Sequence, residues 1–118
     1  MTQPAVLGSL SLDKVPVVVR PDYTISYERG PECIFVHVDV RRWTTGTARQ
    51  FRADTEAAQG LLGEPVYALR EPSAPLQPKF LALAGFIPCG TVIESSSGEP
   101  LTIHCRPFPG KRVLLFNP

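Results

Sequence analysis

The strongest constraint on the fold is the run ECIFVHVDVR at 32–41, which is followed at once by a segment of different hydrophobic period. Side chains alternate along a β-strand, so this run has two faces. One face is wholly apolar and consists of Ile34, Val36, Val38 and Val40. The other turns polar only toward its end and consists of Cys33, Phe35, His37 and Asp39. We therefore expect a central strand covered on both sides, with a site where it ends.

The segment at 46–62 predicts an amphipathic helix. Its apolar positions recur at spacings of three and four and comprise Ala48, Phe51, Thr55, Ala58 and Leu62. The polar positions expected on the other faces are Arg49, Gln50, Arg52, Asp54, Glu56 and Gln59. Thr44 or Thr45 suits the N-cap, and Gly60 or Gly63 suits the C-terminal end.

The remaining segments predict a mixed sheet. Two β-rich runs at 14–20 and 22–28 precede the central strand, with turn sequences between them. A further strand is expected at 64–71, and a hairpin at 86–94 and 101–108. The predicted fold class is α/β (α+β), with about six to seven strands, an antiparallel N-terminal meander, a central βαβ crossover and a C-terminal β-hairpin.

The segment PSAPLQPKFLALAG at 72–85 leaves two alternatives open. It predicts a short second helix at 76–84 if Ser73 is the N-cap, Pro75 the first helical residue and Gly85 the end. Pro78 is compatible with this helix only in its first turn. If the segment is a loop instead, the chain is an all-β domain with one helix.

Charge and hydropathy restrict the class of partner. The 118 residues have a formal net charge of +1 and intersperse both signs, so the chain as a whole does not attract nucleic acid or anionic membranes. Neither a signal-peptide pattern at the start nor a run as long as a membrane span occurs. We expect one cytoplasmic domain over 1–118, with an N-terminal arm at 1–13 and a C-terminal tail at 108–118.

The cysteines and histidines do not predict a metal centre or a disulfide framework. Cys33, Cys89 and Cys105 are odd in number, lie far apart and form no CxxC pair. We expect them to be reduced and mostly buried. His104, alone in the final hairpin, is expected to be structural.

Basic side chains cluster where the predicted helix begins, at Arg41, Arg42 and Arg49. A helix N-terminus carries about half a positive charge, so arginines there are locally unfavourable. A bound anion explains the cluster, because a glycine-containing turn into a helix presents free N–H groups that bind phosphate. The alternative is that these arginines are simply solvated, and a G-x-A triplet alone occurs by chance.

The order of elements and this loop resemble the GNAT family of N-acetyltransferases over roughly residues 14–106. That family has a loop of pattern Q/R-x-x-G-x-G/A after its central strand, and WTTGTA at 43–48 matches it at Gly46 and Ala48. The family's last helix commonly ends in Y-E-x-L-G-F, and LALAGF at 81–86 matches at Gly85 and Phe86. The resemblance implies a GNAT-like fold that holds the pyrophosphate of acetyl-CoA. The cofactor-binding residues that it implies are Arg42, Trp43, Thr44, Thr45, Gly46, Thr47, Ala48 and Arg49.

Departures from the family pattern affect catalysis. Trp43 stands where glutamine or arginine is expected, and Leu81 stands where many members have a tyrosine that protonates the leaving thiolate. Few residues precede the first predicted strand, so the helices that wall the family's acceptor site are expected to be absent or supplied by a partner. Weak candidates for catalysis are Glu28, His37 and Asp39 as a general base, and Tyr67 in place of the missing tyrosine. Ordinary polar positions on a sheet, and a half-buried strand tyrosine, are the alternatives.

These features favour a GNAT-fold protein that is catalytically degenerate. Similar short forms are encoded by tailed bacteriophages, and that resemblance implies a virion-associated or assembly role among other protein subunits, in the host cytoplasm or in the particle. The apolar tail RVLLFNP at 112–118 suits packing against such a partner, and an oligomer is compatible with it. The alternative function is a small acetyl-CoA-dependent N-acetyltransferase.

Overall fold

The computed structural model describes residues 14–69 and 77–116, which form six strands and two helices. The elements in chain order are β1 (Lys14–Val19), β2 (Tyr23–Arg29), β3 (Ile34–Val40), α1 (Thr45–Leu62), β4 (Val66–Leu69), α2 (Gln77–Leu83), β5 (Ile87–Ile93) and β6 (Pro100–Arg106). This order confirms the predicted one, including the second helix, in which Pro78 is the second residue. The predicted start signals Ser73 and Pro75 lie outside the described residues.

The six strands form one mixed sheet in the order β1-β2-β3-β4-β6-β5. Neighbouring strands are antiparallel except for β3 and β4, which are parallel because α1 connects them. The parallel pair lies at the centre, as the strand–helix–strand pattern predicts. The predicted mixed α+β architecture with its crossover and C-terminal hairpin is therefore confirmed.

One face of the sheet packs against both helices. Its core cluster joins Tyr23 of β2 and Val36 of β3 to Phe51 of α1 and Leu81 of α2, all of them buried. The rings of Tyr23 and Phe51 meet edge to face with their centroids 5.5 Å apart. Such aromatic contacts stabilise a core beyond the area that they bury. The apolar face predicted for β3 is thus the face beneath the helices.

Helix α1 begins and ends at predicted caps. The Thr44 side chain accepts a hydrogen bond from the Thr47 amide at 3.1 Å. At the other end Gly63 adopts a φ of 77°, and its amide donates to the Gln59 carbonyl at 2.8 Å. This left-handed conformation is one that glycine reaches without the steric cost of a Cβ atom.

Gln59 was predicted to lie on a polar face of this helix, and the structure shows that this prediction is wrong. Its side chain is almost fully buried, at 1% exposure. Its amide nitrogen donates to the Arg106 carbonyl at 2.7 Å, and its amide oxygen accepts a hydrogen bond from the Arg106 guanidinium. A buried polar group is stable when its hydrogen bonds are made, but hydrophobic periodicity does not detect partners 47 residues away.

The C-terminal tail packs on its own sheet, on the face opposite the helices. Its packed residues are Val113, Leu114 and Phe116, which lie against a second core cluster of Cys33, Tyr67, Cys89, Ile103 and Cys105. The Leu114 amide donates to the Tyr67 hydroxyl at 2.8 Å, and Phe116 forms a parallel bridge with Gly90. This sheet face therefore partly buries three of the apolar tail residues that were expected to suit packing against a partner. Leu115 stays exposed.

The three cysteines are free and buried, as predicted. Burial raises the pKa of the Cys33 and Cys105 thiols to about 11, so both are protonated at neutral pH. Within residues 14–69 and 77–116, no group of three or more His, Cys, Asp or Glu side chains is placed to hold a metal ion. In the same ranges, no helix is long and apolar enough to cross a membrane.

Candidate functional site

The central strands β3 and β4 separate soon after their pairing begins. Only Ile34 with Val66 and Phe35 with Tyr67 are paired in the parallel register, although both strands continue beyond these residues. A cavity of about 350 Å³ opens between the separated strands. Its wall includes Phe51 from the helix-covered face and His37 from the opposite face, so the gap passes through the sheet.

The helix side of the cavity is mostly apolar. Its lining there includes Phe51, Phe80, Leu81 and Phe86, and Gln77 of α2 is a polar member. Phe51 and Phe80 meet edge to face at 5.9 Å, and Trp43 covers both of them, at 5.8 Å from Phe51 and 5.5 Å from Phe80. Trp43 therefore packs at the corner between β3 and α1, with 37% of its surface exposed. This aromatic cluster of Trp43, Phe51 and Phe80 joins the loop before α1 to the cavity wall.

The opposite side of the cavity is polar. His37 lines it, and its Nε2 lies 2.5 Å from Oε1 of Glu28, a buried carboxylate on the neighbouring strand. In the tautomer in which Nε2 donates to this carboxylate, Nδ1 is the ring atom left to accept a proton. A carboxylate that orients an imidazole in this way suits general-base chemistry. The structure thus brings together two of the predicted catalytic candidates.

The side chains of Asp39 and Arg41 bind each other and stabilise the end of β3, so they are not free to bind an anion. Asp39 lines the cavity rim and accepts from the Arg41 guanidinium at 2.8 Å. The same guanidinium donates to the Arg20 carbonyl and to the Thr24 hydroxyl. Arg41 is therefore committed to partners in β2, in β3 and in the turn before β2, and it contributes little free positive charge to the start of α1.

The first turn of α1 offers a small set of free donors. Thr47 is internally bonded, because its amide donates to Thr44 and its hydroxyl to Asp22 at 2.8 Å. The amides of Thr45 and Gly46 begin the helix and have no intrahelical acceptor.

Near this turn Arg42 and Arg49 are exposed, and their guanidinium groups have no hydrogen-bond or ion-pair partner in the described part of the chain. A Cβ atom built on Gly46 meets only the Thr44 hydroxyl at 3.7 Å, so the approach to this turn is unobstructed. Two amides and two guanidinium groups are thus available to an anion. The Asp22 carboxylate beside Thr47 offsets part of their positive potential.

Several solved structures that are similar to this chain are acetyltransferases. Aminoglycoside acetyltransferase AAC(6')-Ib, in complex with coenzyme A and kanamycin, is similar with a TM-score of 0.60 at 15% identity, over 88% of this chain and 71% of its own. A GNAT-family acetyltransferase from Bacillus anthracis is similar with a TM-score of 0.57 at 8% identity, over 79% and 64%. The chain has a GNAT-like fold.

The similarity to GNAT-fold proteins lies in the structure, and the sequence identity is low. The ribosomal-protein-S5-alanine acetyltransferase from Vibrio fischeri is similar with a TM-score of 0.56 at 16% identity, and the match covers 77% of this chain. This chain spans 56% of the length of that enzyme. No protein-family model matches the sequence, and a comparison with curated proteins also finds no match.

Of the two positions considered for a catalytic acid in this GNAT fold, Leu81 lines the cavity and Tyr67 does not. Leu81, which the sequence resemblance matches to the family's tyrosine, is buried in the cavity wall and has no proton to donate. Tyr67 does not belong to the wall of the cavity. It packs beneath the tail, its hydroxyl accepts from the Leu114 amide, and burial raises the pKa of its phenol.

Most residues that line the GNAT-fold cavity were not predicted as site residues from the sequence. Among them are Lys14, Ser26 and Phe80. The register of β1 with β2 places Lys14 opposite Glu28, and the register of β2 with β3 places Ser26 opposite His37, so both side chains line the cavity. The period-two pattern gives the faces of each strand, but only the cross-strand register places these side chains beside one another.

Proposed function

We propose that this chain binds acetyl-CoA in the cavity between β3 and β4 and transfers the acetyl group to a primary amine. The observation that carries the proposal is the cavity itself, which extends from the aromatic cluster beside the start of α1 to the Glu28–His37 pair. The GNAT-like fold of the chain supports the same choice, because the similar solved structures reported above are acetyltransferases, and AAC(6')-Ib is in complex with coenzyme A.

The residues at the start of α1 fit a pyrophosphate group. The amides of Thr45 and Gly46 would donate to its oxygens, and Arg42 and Arg49 would supply positive charge. The apolar lining around Phe51 suits the uncharged arm of the cofactor. Because Asp22 already occupies the first turn of α1, we expect binding on the order of 10–100 µM rather than nanomolar.

The polar side of the cavity fits the acceptor's proton chemistry. Acetyl-CoA supplies an acetyl group activated as a thioester. His37 accepts a proton from the acceptor ammonium, and Glu28 orients the ring and stabilises its protonated form. Leu81 has no proton to give, so water protonates the departing thiolate. We expect slow turnover for this reason.

A second candidate function is a GNAT fold without turnover, used as an interaction protein in a virion or during particle assembly. One observation that favours it is Leu81, which stands where the family's proton-donating tyrosine is expected. Another is the apolar edge strand β1, on which Val15 and Val19 are 58% and 70% exposed. Exposed apolar side chains on an edge strand are suited to contact with another protein. The bacteriophage setting of this candidate rests on the sequence resemblance alone.

Calorimetry with acetyl-CoA and with desulfo-CoA tests the binding step. We expect Gly46→Glu to weaken binding by about tenfold or more, because it places a carboxylate where the pyrophosphate would lie. Gly60→Glu is the matched control, since it adds the same charge to the same helix at a position with open space around it. Absence of binding at millimolar acetyl-CoA would overturn the proposal.

An acetylation assay separates the two candidate functions. The wild-type chain is incubated with acetyl-CoA and a panel of small amines, peptides and aminoglycosides, and released thiol is measured. Turnover that depends on His37 supports the transferase. Binding without turnover on every amine supports the interaction protein.

A further inference from the structure

The cavity contains an amine of the chain itself. The sequence has only three lysines, at positions 14, 79 and 111. Lys79 lies on α2 and Lys111 in the tail. Both are exposed, and neither lines the cavity. Lys14, the first residue of β1, is also exposed but lines the cavity together with His37.

The register of the sheet holds Lys14 on the polar face. Lys14 is opposite Glu28 on β2, and Glu28 is in turn opposite Phe35 on β3. Residues directly opposite each other on adjacent strands have Cβ atoms about 5 Å apart, on the same face. The lysine side chain therefore starts beside the carboxylate that orients His37. Because β1 is an edge strand and Lys14 is exposed, the flexible lysine stem has room to extend along the cavity opening.

We infer that Lys14 is a self-acetylation site, modified by acetyl-CoA bound in the chain's own cavity. The inference rests on the proposed function, because the acetyl group must be held there first. An amine tethered to the site reacts at an effective concentration far above that of a free acceptor.

The reaction balances without a further reactant. The neutral Lys14 Nζ attacks the thioester carbonyl carbon, an N–C bond forms and the C–S bond breaks. The lysine ammonium loses two protons in all. One is taken up by the coenzyme A thiolate, and the other passes through His37 to solvent. The products are N-acetyl-Lys14, coenzyme A as a thiol, and one proton.

The test uses the full-length chain incubated with acetyl-CoA and analysed by peptide mass mapping of all three lysines. A parallel sample receives acetyl phosphate, which acetylates amines without a coenzyme A site. We expect acetyl-CoA to modify Lys14 at least about tenfold faster than Lys79 or Lys111, and acetyl phosphate to show no such preference. Calorimetry on the same preparation records whether acetyl-CoA binds.

Three variants sharpen the test. Lys14→Arg should abolish the fast modification, whereas Lys111→Arg, an exposed lysine outside the cavity, should leave modification of Lys14 intact. His37→Gln should slow acetylation of Lys14 by about tenfold or more while acetyl-CoA still binds.

Equal modification of the three lysines, or an unmodified Lys14 in protein that binds acetyl-CoA, would overturn this inference and leave the proposed function standing. If acetyl-CoA does not bind and Lys14 stays unmodified, the proposed function fails, and this inference fails with it.

Discussion

The carboxylate of Glu28 and the imidazole of His37 meet diagonally across two antiparallel strands, with Oε1 and Nε2 2.5 Å apart. Their backbones are not in register, because Glu28 is opposite Phe35 and His37 is opposite Ser26. Glu28 is buried, whereas the His37 side chain is 37% exposed. Glu28 is therefore held within the sheet, and the His37 ring bonded to it reaches the cavity. The sheet itself positions the proposed base.

Replacing Glu28 with glutamine should slow acyl transfer without preventing cofactor binding. The amide cannot stabilise a protonated His37 as a carboxylate does, so kcat should fall by about 10- to 100-fold. The KM for acetyl-CoA should stay within about twofold of the wild-type value, because Glu28 positions His37 and does not contact the start of α1, where the pyrophosphate is proposed to bind. Steady-state kinetics with released thiol as the readout measures both constants.

Glu99→Gln makes the same chemical change in the exposed turn between β5 and β6, and it serves as the control. A Glu28→Gln protein with an unchanged kcat would show that His37 acts without its carboxylate partner.

Asp54 should stabilise the fold in a pH-dependent manner. Its carboxylate accepts two hydrogen bonds from Arg20, at 3.0 and 2.9 Å, and one from the buried Tyr23 hydroxyl at 2.5 Å. The Arg20 hydrogen bond, assisted by that of Tyr23, holds the pKa of Asp54 below its ordinary value of 3.8 in the folded state. A depressed folded pKa gives stability that is present above the unfolded pKa and lost as the pH falls through the folded one.

Asp54→Ala should therefore lower the free energy of unfolding by about 1–3 kcal/mol at neutral pH, since it leaves the Tyr23 hydroxyl buried without an acceptor. The charge-dependent part of this difference should shrink as the pH is lowered below about 3.8. Urea denaturation at neutral pH and at about pH 2.5 measures it. Glu56→Ala, which removes a carboxylate that is 72% exposed on the same helix, should change stability by less than about 1 kcal/mol. A difference that is the same at both pH values would contradict this assignment.

Gly90 should be required for the tail to dock. A Cβ atom at this position would lie 2.0 Å from the Phe116 carbonyl oxygen, and the φ of 141° is one that other residues rarely adopt. Gly90→Ala should displace the tail and uncover the thiols beneath it. Cys105, whose pKa burial raises to about 11, should then react with a thiol reagent at least about tenfold faster.

Gly98→Ala provides the matched control, because Gly98 lies in the same hairpin with a positive φ but has nothing within 4 Å of the added Cβ atom. It should strain its turn without exposing the thiols. If both variants react at the wild-type rate, the tail does not protect the cysteines.

Two glycines near the end of α1 should respond to alanine in opposite directions. Gly60 lies within the helix with open space around it, so Gly60→Ala should stabilise the chain by about 0.5–1 kcal/mol. Gly63 ends the helix at a φ of 77°, so Gly63→Ala should destabilise it by about 1 kcal/mol. Thermal unfolding of the two variants side by side measures the sign directly, and a stabilising Gly63→Ala would show that the helix ends elsewhere.

Local sequence patterns determined the elements of this protein. Alternation along 32–41 and the spacings of three and four along 46–62 identified β3 and α1 correctly, because each period reflects one buried face of a single element. Thr44 and Gly63 are detectable as caps for the same reason, since a cap satisfies backbone groups within a few residues of itself. The strand–helix–strand order then required a parallel pair at the centre of the sheet.

Tertiary structure alone decided the polar and long-range features. Gln59 is buried because Arg106 satisfies it, and Phe116 is covered because β5 offers it a backbone partner at Gly90. The divergence of β3 from β4, the contact of Glu28 with His37 and the placement of His37 and Lys14 at one cavity depend on strand register. Register and hydrogen-bond satisfaction join residues that are distant in the chain, and the hydrophobic period of a single segment carries no information about them.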